Sequence, residues 1–103
     1  MQKRRAEKAN VITTTLEREY FAEIVAGTKR IEYREMKPYW TTRLNQVQVP
    51  FRLILRNGMT PPVPVLTVRI DRVEPNLRTR EYELHIGRIL RVEHWDRKKK
   101  KPR

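Results

Sequence analysis

With 103 residues, the chain has room for one domain around one modest core. The absence of cysteine excludes a disulfide framework, thiolate zinc sites, redox motifs and a cysteine nucleophile, and no apolar run has the length of a membrane span or of a secretory signal. The formal charge of +12 lies mostly at the ends: residues 97–103 hold six cations and no anion, residues 1–9 hold four cations and one anion, and residues 10–96 carry 14 basic against 11 acidic groups.

Runs of like charge repel and stay solvated, so residues 1–9 read as a basic flexible N-terminal tail. Val11 to Thr13 can begin a short strand. Thr14 with Glu17 forms a Thr-x-x-Glu capping box. Behind it, Leu16, Tyr20, Phe21, Ile24 and Val25 recur at helical spacing, which predicts an amphipathic helix over 15–26. Glu17, Glu19 and Glu23 suit its dipole, and Gly27 stands where a left-handed C-terminal cap is expected.

The period then switches to two. Ile31 and Tyr33 alternate with Arg30, Glu32 and Arg34, which predicts a half-buried strand with Ile31 and Tyr33 on the packed side. Pro38, Tyr39 and Trp40 break the pattern as a loop, and Thr41 to Leu44 can form a short helical turn. Phe51, Leu53 and Leu55 mark a further strand, ended by the Asn57-Gly58 turn and by Pro61, Pro62 and Pro64. Leu66, Val68 and Ile70 mark the next, ended at Pro75 and Asn76. Tyr82-Leu84-Ile86 and Leu90-Val92-His94 read as two last runs flanking Gly87. Residues 97–103 read as a basic flexible C-terminal tail, leaving one domain over 10–96. A helix followed by about five closely spaced strands predicts an α+β fold: a small β-barrel with the helix closing one end.

The segment Gly27-Thr28-Lys29-Arg30-Ile31-Glu32-Tyr33-Arg34 carries the chemistry. Glu32 and Arg34 are two apart on a strand and share a face. Lys29, in the preceding turn, can join them as a cation–carboxylate–cation cluster in which the acid orients both bases. A surface charge ladder of little energetic value would give the same spacing. The segment matches the Gly-x-Lys-x-x-Glu-x-Arg pattern and resembles the ASCH family, a branch of the PUA-like superfamily. The helix before it and the strands after it follow that family's order of elements.

The resemblance implies a PUA-like barrel of about five to six strands, with one main N-terminal helix and a cleft that binds RNA or a modified nucleotide. Carried over by residue, it places Gly27, Lys29, Glu32 and Arg34 in that cleft. Some relatives are hydrolases: one branch deacetylates N4-acetylcytidine with a lysine in this turn, a threonine three residues on and a distal glutamate. Here Lys29 fills the lysine position and Glu32 stands at the threonine's, while Glu74, Glu81 and Glu83 compete for the last. Another relative is a ribonuclease, for which Lys29 and Glu32, with Tyr33, Tyr39 or His85, are the candidates here for metal-independent acid–base cleavage.

Tyr39 and Trp40 can stack on unpaired bases, or Trp40 can plug the barrel end. Arg52, Arg56, Arg69 and Arg72 can line up as a basic stripe or as ordinary solvated faces. His85 and His94 show no acidic or cysteine partner at ligand spacing, so neither a metal nor a cofactor is expected. The basic ends read as solubilising segments, as phosphate-backbone binders acting by counterion release, or as attractors of anionic membrane; without an apolar anchor the last is weakest. The expected function is a cytoplasmic, monomeric RNA-binding module that does not act at membranes. The alternative is a small hydrolase, a ribonuclease or an N4-acetylcytidine amidohydrolase. A protein-interaction adaptor is a third reading.

Overall fold

The computed structural model describes residues 10–103, and the N-terminal segment read as a basic tail lies outside them. In chain order the elements are β1 (Val11–Thr15), α1 (Arg18–Ala26), β2 (Ile31–Glu35), α2 (Pro38–Leu44), β3 (Phe51–Arg56), β4 (Val65–Asn76) and β5 (Glu81–Glu93), then a short hairpin of β6 (Trp95–Asp96) and β7 (Lys101–Pro102). The fold is α+β: a five-stranded mixed half-barrel sheet, ordered β1-β3-β4-β5-β2, with two short helices. Among the described residues, only β1 and β3 pair in parallel. The two edges, β1 and β2, share no ladder, so the barrel has an open seam.

The alternating apolar residues meet inside it. Leu53 and Leu55 of β3, Leu66, Val68 and Ile70 of β4 and Leu84 of β5 are fully buried, capped by Phe21 and Ile24 of α1 and by Trp40 of α2. The strands of the β4–β5 pair are long, and three register shifts interrupt their ladder between Thr67 and Arg72. Each shift bends the pair and adds twist, which curls the sheet. Gly87 sits at this bend without ending the strand: a Cβ there would lie 1.8 Å from Asp71 Oδ2, so only glycine leaves space for that carboxylate. The two apolar runs flanking Gly87 are therefore one strand.

Several boundaries differ from the sequence reading, each for a physical reason. Thr14 does not cap a helix. It pairs with Leu55, and Thr15 pairs with Arg56. Three β-branched residues in a row favour extended backbone, and the parallel ladder with β3 continues to Leu16, whose N–H donates to Arg56 O at 2.9 Å. The helix then begins after Glu17, which makes no side-chain capping bond. Pro38 starts α2 rather than a loop, with Lys37 extended before it, so Tyr39 and Trp40 are helical. Pro75 does not end β4, because beyond Ile70 that strand has lost β3 and runs as an edge where proline is tolerated.

The lysine run differs most. The segment read as a flexible tail folds back as a hairpin, with Trp95 opposite Pro102 and Asp96 opposite Lys101. Asp96 Oδ1 accepts from the amides of Lys98 and Lys99, both at 3.0 Å, and the Arg103 amide donates to His94 O at 3.1 Å. Trp95 is buried against Phe21, with ring centroids 4.7 Å apart. Among the described residues, no helix is long and apolar enough to cross a membrane.

Candidate functional site

The site is built at the open seam. Gly27 ends α1 at φ 86°, a left-handed conformation that costs glycine little, and its N–H donates to Ile24 O. The next amides, of Thr28 and Lys29, both turn back to Glu23 O, and Thr28 Oγ1 donates to the same carbonyl at 3.2 Å. This tight exit swings Lys29 toward the edge strand β2.

Glu32, opposite Leu84 on the inner face of β2, is 4% exposed. A carboxylate so placed needs charged partners to offset its lost hydration. Its Oε2 accepts from Arg34 Nε at 2.8 Å, with Arg34 Nη2 at the same distance, and its Oε1 lies 3.6 Å from Lys29 Nζ. Arg34 Nη2 also donates to Thr15 O at 2.9 Å. One guanidinium thus stitches β2 to β1 across the gap that no ladder closes. Its Cζ stands 5.1 Å from the Trp40 ring centroid, while Lys29 Nζ stands 5.1 Å from both the Tyr20 and Tyr33 centroids.

The faces of β2 are reversed relative to the sequence reading. Tyr33 is 45% exposed on the outer side, and the charged residues point inward. Period-two alternation defines two faces but not which of them meets the core. On this edge, three charges that satisfy one another take the inner face.

A cleft of about 590 Å³ opens beside the cluster. Its walls are Thr15 and Leu16 after β1, Glu17 and Tyr20 at the start of α1, Glu32 to Glu35 on β2, and Asn57 from the turn after β3. Asn57 Nδ2 donates to Leu16 O at 2.9 Å and fixes that corner. Trp40, 7% exposed, forms the floor, which matches the barrel plug more than a free stacking ring. The lining carries three carboxylates, Glu17, Glu32 and Glu35, against one cation, Arg34. Lys29 compensates Glu32 from behind. The cleft is aromatic and acid-rimmed, not basic.

Other candidates lie elsewhere. Tyr39 lines a separate hollow on α2, where Arg43 Cζ stacks at 4.4 Å from its centroid. Arg52 alternates with the buried Phe51 and Leu53 and so faces outward, beside Arg69 in register. His85 has two acidic neighbours: Glu83, two residues back on the same strand, with Oε1 3.7 Å from its Nε2, and Glu74, brought by the ladder with β4, with Oε1 at 3.5 Å. These three residues have metal-ligand character and lie close together. However, Arg72 Nη2 approaches His85 Nδ1 at 3.2 Å, and guanidinium can only donate. Nδ1 is then the acceptor, and Nε2 makes no hydrogen bond to either carboxylate. The cluster reads as an ion-pair network with Arg72, which also bonds Glu74 at 3.1 Å.

Thr15, Glu17, Tyr20 and Asn57 were invisible as site residues in the sequence. Tyr20 sat in the apolar helical stripe, and the β1–β3 pairing that brings Thr15 and Asn57 to the seam is long-range. No known protein family, curated protein or solved structure matches the chain.

Proposed function

We propose that the cleft binds one nucleotide of single-stranded RNA and that the chain is a cytoplasmic RNA-binding module of the PUA-like, ASCH type. The observation that carries this reading is the Glu32–Arg34 pair, backed by Lys29, in the wall of a cleft that Tyr20 and Tyr33 also line. Single-stranded bases are read by stacking on aromatic and guanidinium planes and by hydrogen bonds to their edges. Tyr20 and Tyr33, 41% and 45% exposed, offer ring faces, and Arg34 over Trp40 offers a flat cationic plane. The carboxylates of Glu17 and Glu35 at the rim accept from exocyclic amines. The volume is within the usual range for small-ligand sites, about 300–1,000 Å³. The motif and the helix-then-strand order support the family assignment.

Binding ranks above deacylation on one geometric point. Glu32 occupies the position of the nucleophilic threonine, and the neighbouring hydroxyl of Thr28 is committed to Glu23 O. The test is fluorescence anisotropy with a labelled short RNA and the Tyr20→Ala/Tyr33→Ala variant. Both rings are half-exposed, so the fold survives. Loss of stacking at about 1–3 kcal/mol per base predicts a complex about five- to 150-fold weaker. Unchanged affinity in this variant overturns the reading. Turnover of RNA or of N4-acetylcytidine by the wild-type chain, abolished in Lys29→Ala, would establish the hydrolase instead.

A further inference from the structure

We propose that the C-terminal hairpin is a preformed phosphate-backbone clamp for the strand whose base occupies the cleft. The choice of partner rests on the RNA reading above; the clamp itself rests on separate observations. Residues 97–103 hold six cations, all exposed, and none of them forms an ion pair among the described residues. The hairpin's one acid, Asp96, directs Oδ1 to the amides of Lys98 and Lys99. It shapes the loop instead of neutralising a lysine. Lys100 takes φ 54°, which turns the chain back into β7.

The anchor ties this loop to the cleft. Trp95 packs at a tilt against Phe21, and the next residue up the helix, Tyr20, is a cleft wall. The loop's anchor and the cleft therefore meet at neighbouring residues of one turn of α1, about 10 Å across with its side chains. Their charges are opposite in sign. The carboxylate-lined cleft repels phosphate, so a strand that places a base there must carry its backbone toward positive potential; Arg18 and Arg56 flank the cleft singly, and the densest run of cations without an ion pair among the described residues is this loop. An anionic membrane is the weaker partner, because the hairpin's one large apolar side chain, Trp95, is buried and leaves nothing to insert.

The experiment is anisotropy with labelled oligouridylate on the full chain, between about 50 and 200 mM salt. The lysines of the loop are changed together (Lys98→Gln, Lys99→Gln, Lys100→Gln, Lys101→Gln). Separately, Asp96→Ala unties the loop while raising the net charge. Four lost phosphate contacts at about 0.7 each flatten the slope of log K against log salt by about 3, with at least tenfold weaker binding at low salt. Asp96→Ala binds about two- to fivefold more weakly despite its added charge, because the loop must then be ordered on binding. Affinity and slope unchanged in the lysine variant overturn the proposal. So does tighter binding by Asp96→Ala, which would make charge alone sufficient. Lysine-dependent binding to phosphatidylserine vesicles but not to RNA also overturns it. The Tyr20→Ala/Tyr33→Ala variant separates the two claims: lost affinity with an intact salt slope supports both, whereas unchanged affinity with an intact, lysine-dependent slope overturns the cleft reading alone.

Discussion

Replacing Glu32 by alanine is the sharpest perturbation of the site. The carboxylate is 4% exposed and is the common partner of Lys29 and Arg34, whose side chains are 16% and 17% exposed. Without it, two cations face each other at the seam with no anion between them. Breaking a buried pair by removing one partner costs about 3–5 kcal/mol. Both cations retain some contact with water and can swing outward, so the cost falls below that range, at about 2–3 kcal/mol. For a domain of this size each kcal/mol moves the melting midpoint by about 4–8 °C, so Glu32→Ala should melt roughly 10–20 °C below the wild type by circular dichroism. Glu32→Gln keeps an acceptor for Arg34 and should lose less. Replacing all three charges (Lys29→Met, Glu32→Leu, Arg34→Met) should restore most of the stability while abolishing RNA binding, since apolar replacement of a whole ion cluster is often neutral. A Glu32→Ala midpoint within about 3 °C of wild type would refute the argument, because the carboxylate would then not be holding its cations in place.

Three further outcomes test local geometry. Thr14→Val should leave stability within about 0.5 kcal/mol or raise it, since valine suits a strand, whereas loss of a true helix cap would cost about 1 kcal/mol in urea denaturation. Gly27→Ala meets no atom within 4 Å but must adopt φ 86°, so it should cost about 1–2 kcal/mol from backbone strain alone. Asp71 is held below the usual carboxylate range chiefly by its hydrogen bond from Arg69. Gly87→Ala displaces that carboxylate, so NMR titration should show the Asp71 pKa rising toward its ordinary value. A depressed carboxyl contributes stability that is present above its unfolded pKa and lost as pH falls through the folded one, so in wild type this small, exposed contribution disappears only in acid, below about pH 4.

What was legible in the sequence was local. The period-two runs of β3 and β4, the left-handed exit at Gly27 and the Lys29–Glu32–Arg34 spacing depend on neighbours within a few residues, and each has its counterpart in the structure. What was misplaced depends on distant partners. The parallel ladder with β3 extends β1 into the threonines, and no spacing near Thr14 reports it. The side of β2 that faces inward is decided by β5 and the curl of the sheet. The hairpin forms because Trp95 finds Phe21, far back in the chain, and Asp96 then has a turn to close. The composition of residues 97–103 is the same whether that turn exists or not. The hairpin therefore escaped a reading of charge density alone, which took residues 97–103 as a tail without fixed structure.

The open seam links stability to binding. Two unpaired sheet edges are an aggregation hazard that proteins manage with charged residues pointing inward from the edge. Glu32 and Arg34 occupy that position on β2, and the bond from Arg34 to Thr15 O takes the place of a closing ladder. Had β1 and β2 paired directly, their backbones would fill the gap where the cleft now lies. The residues that keep the edges apart are thus the ones that keep the site open. The triple apolar variant should expose this second role: with the inward charges gone, its edges are free to pair with those of another chain. It should therefore remain folded as a dilute monomer but self-associate as concentration rises, by sedimentation velocity. Glu32→Gln, which keeps Arg34 and Lys29 at the seam, should remain monomeric under the same conditions. If both variants stay monomeric, the cluster serves the cleft alone.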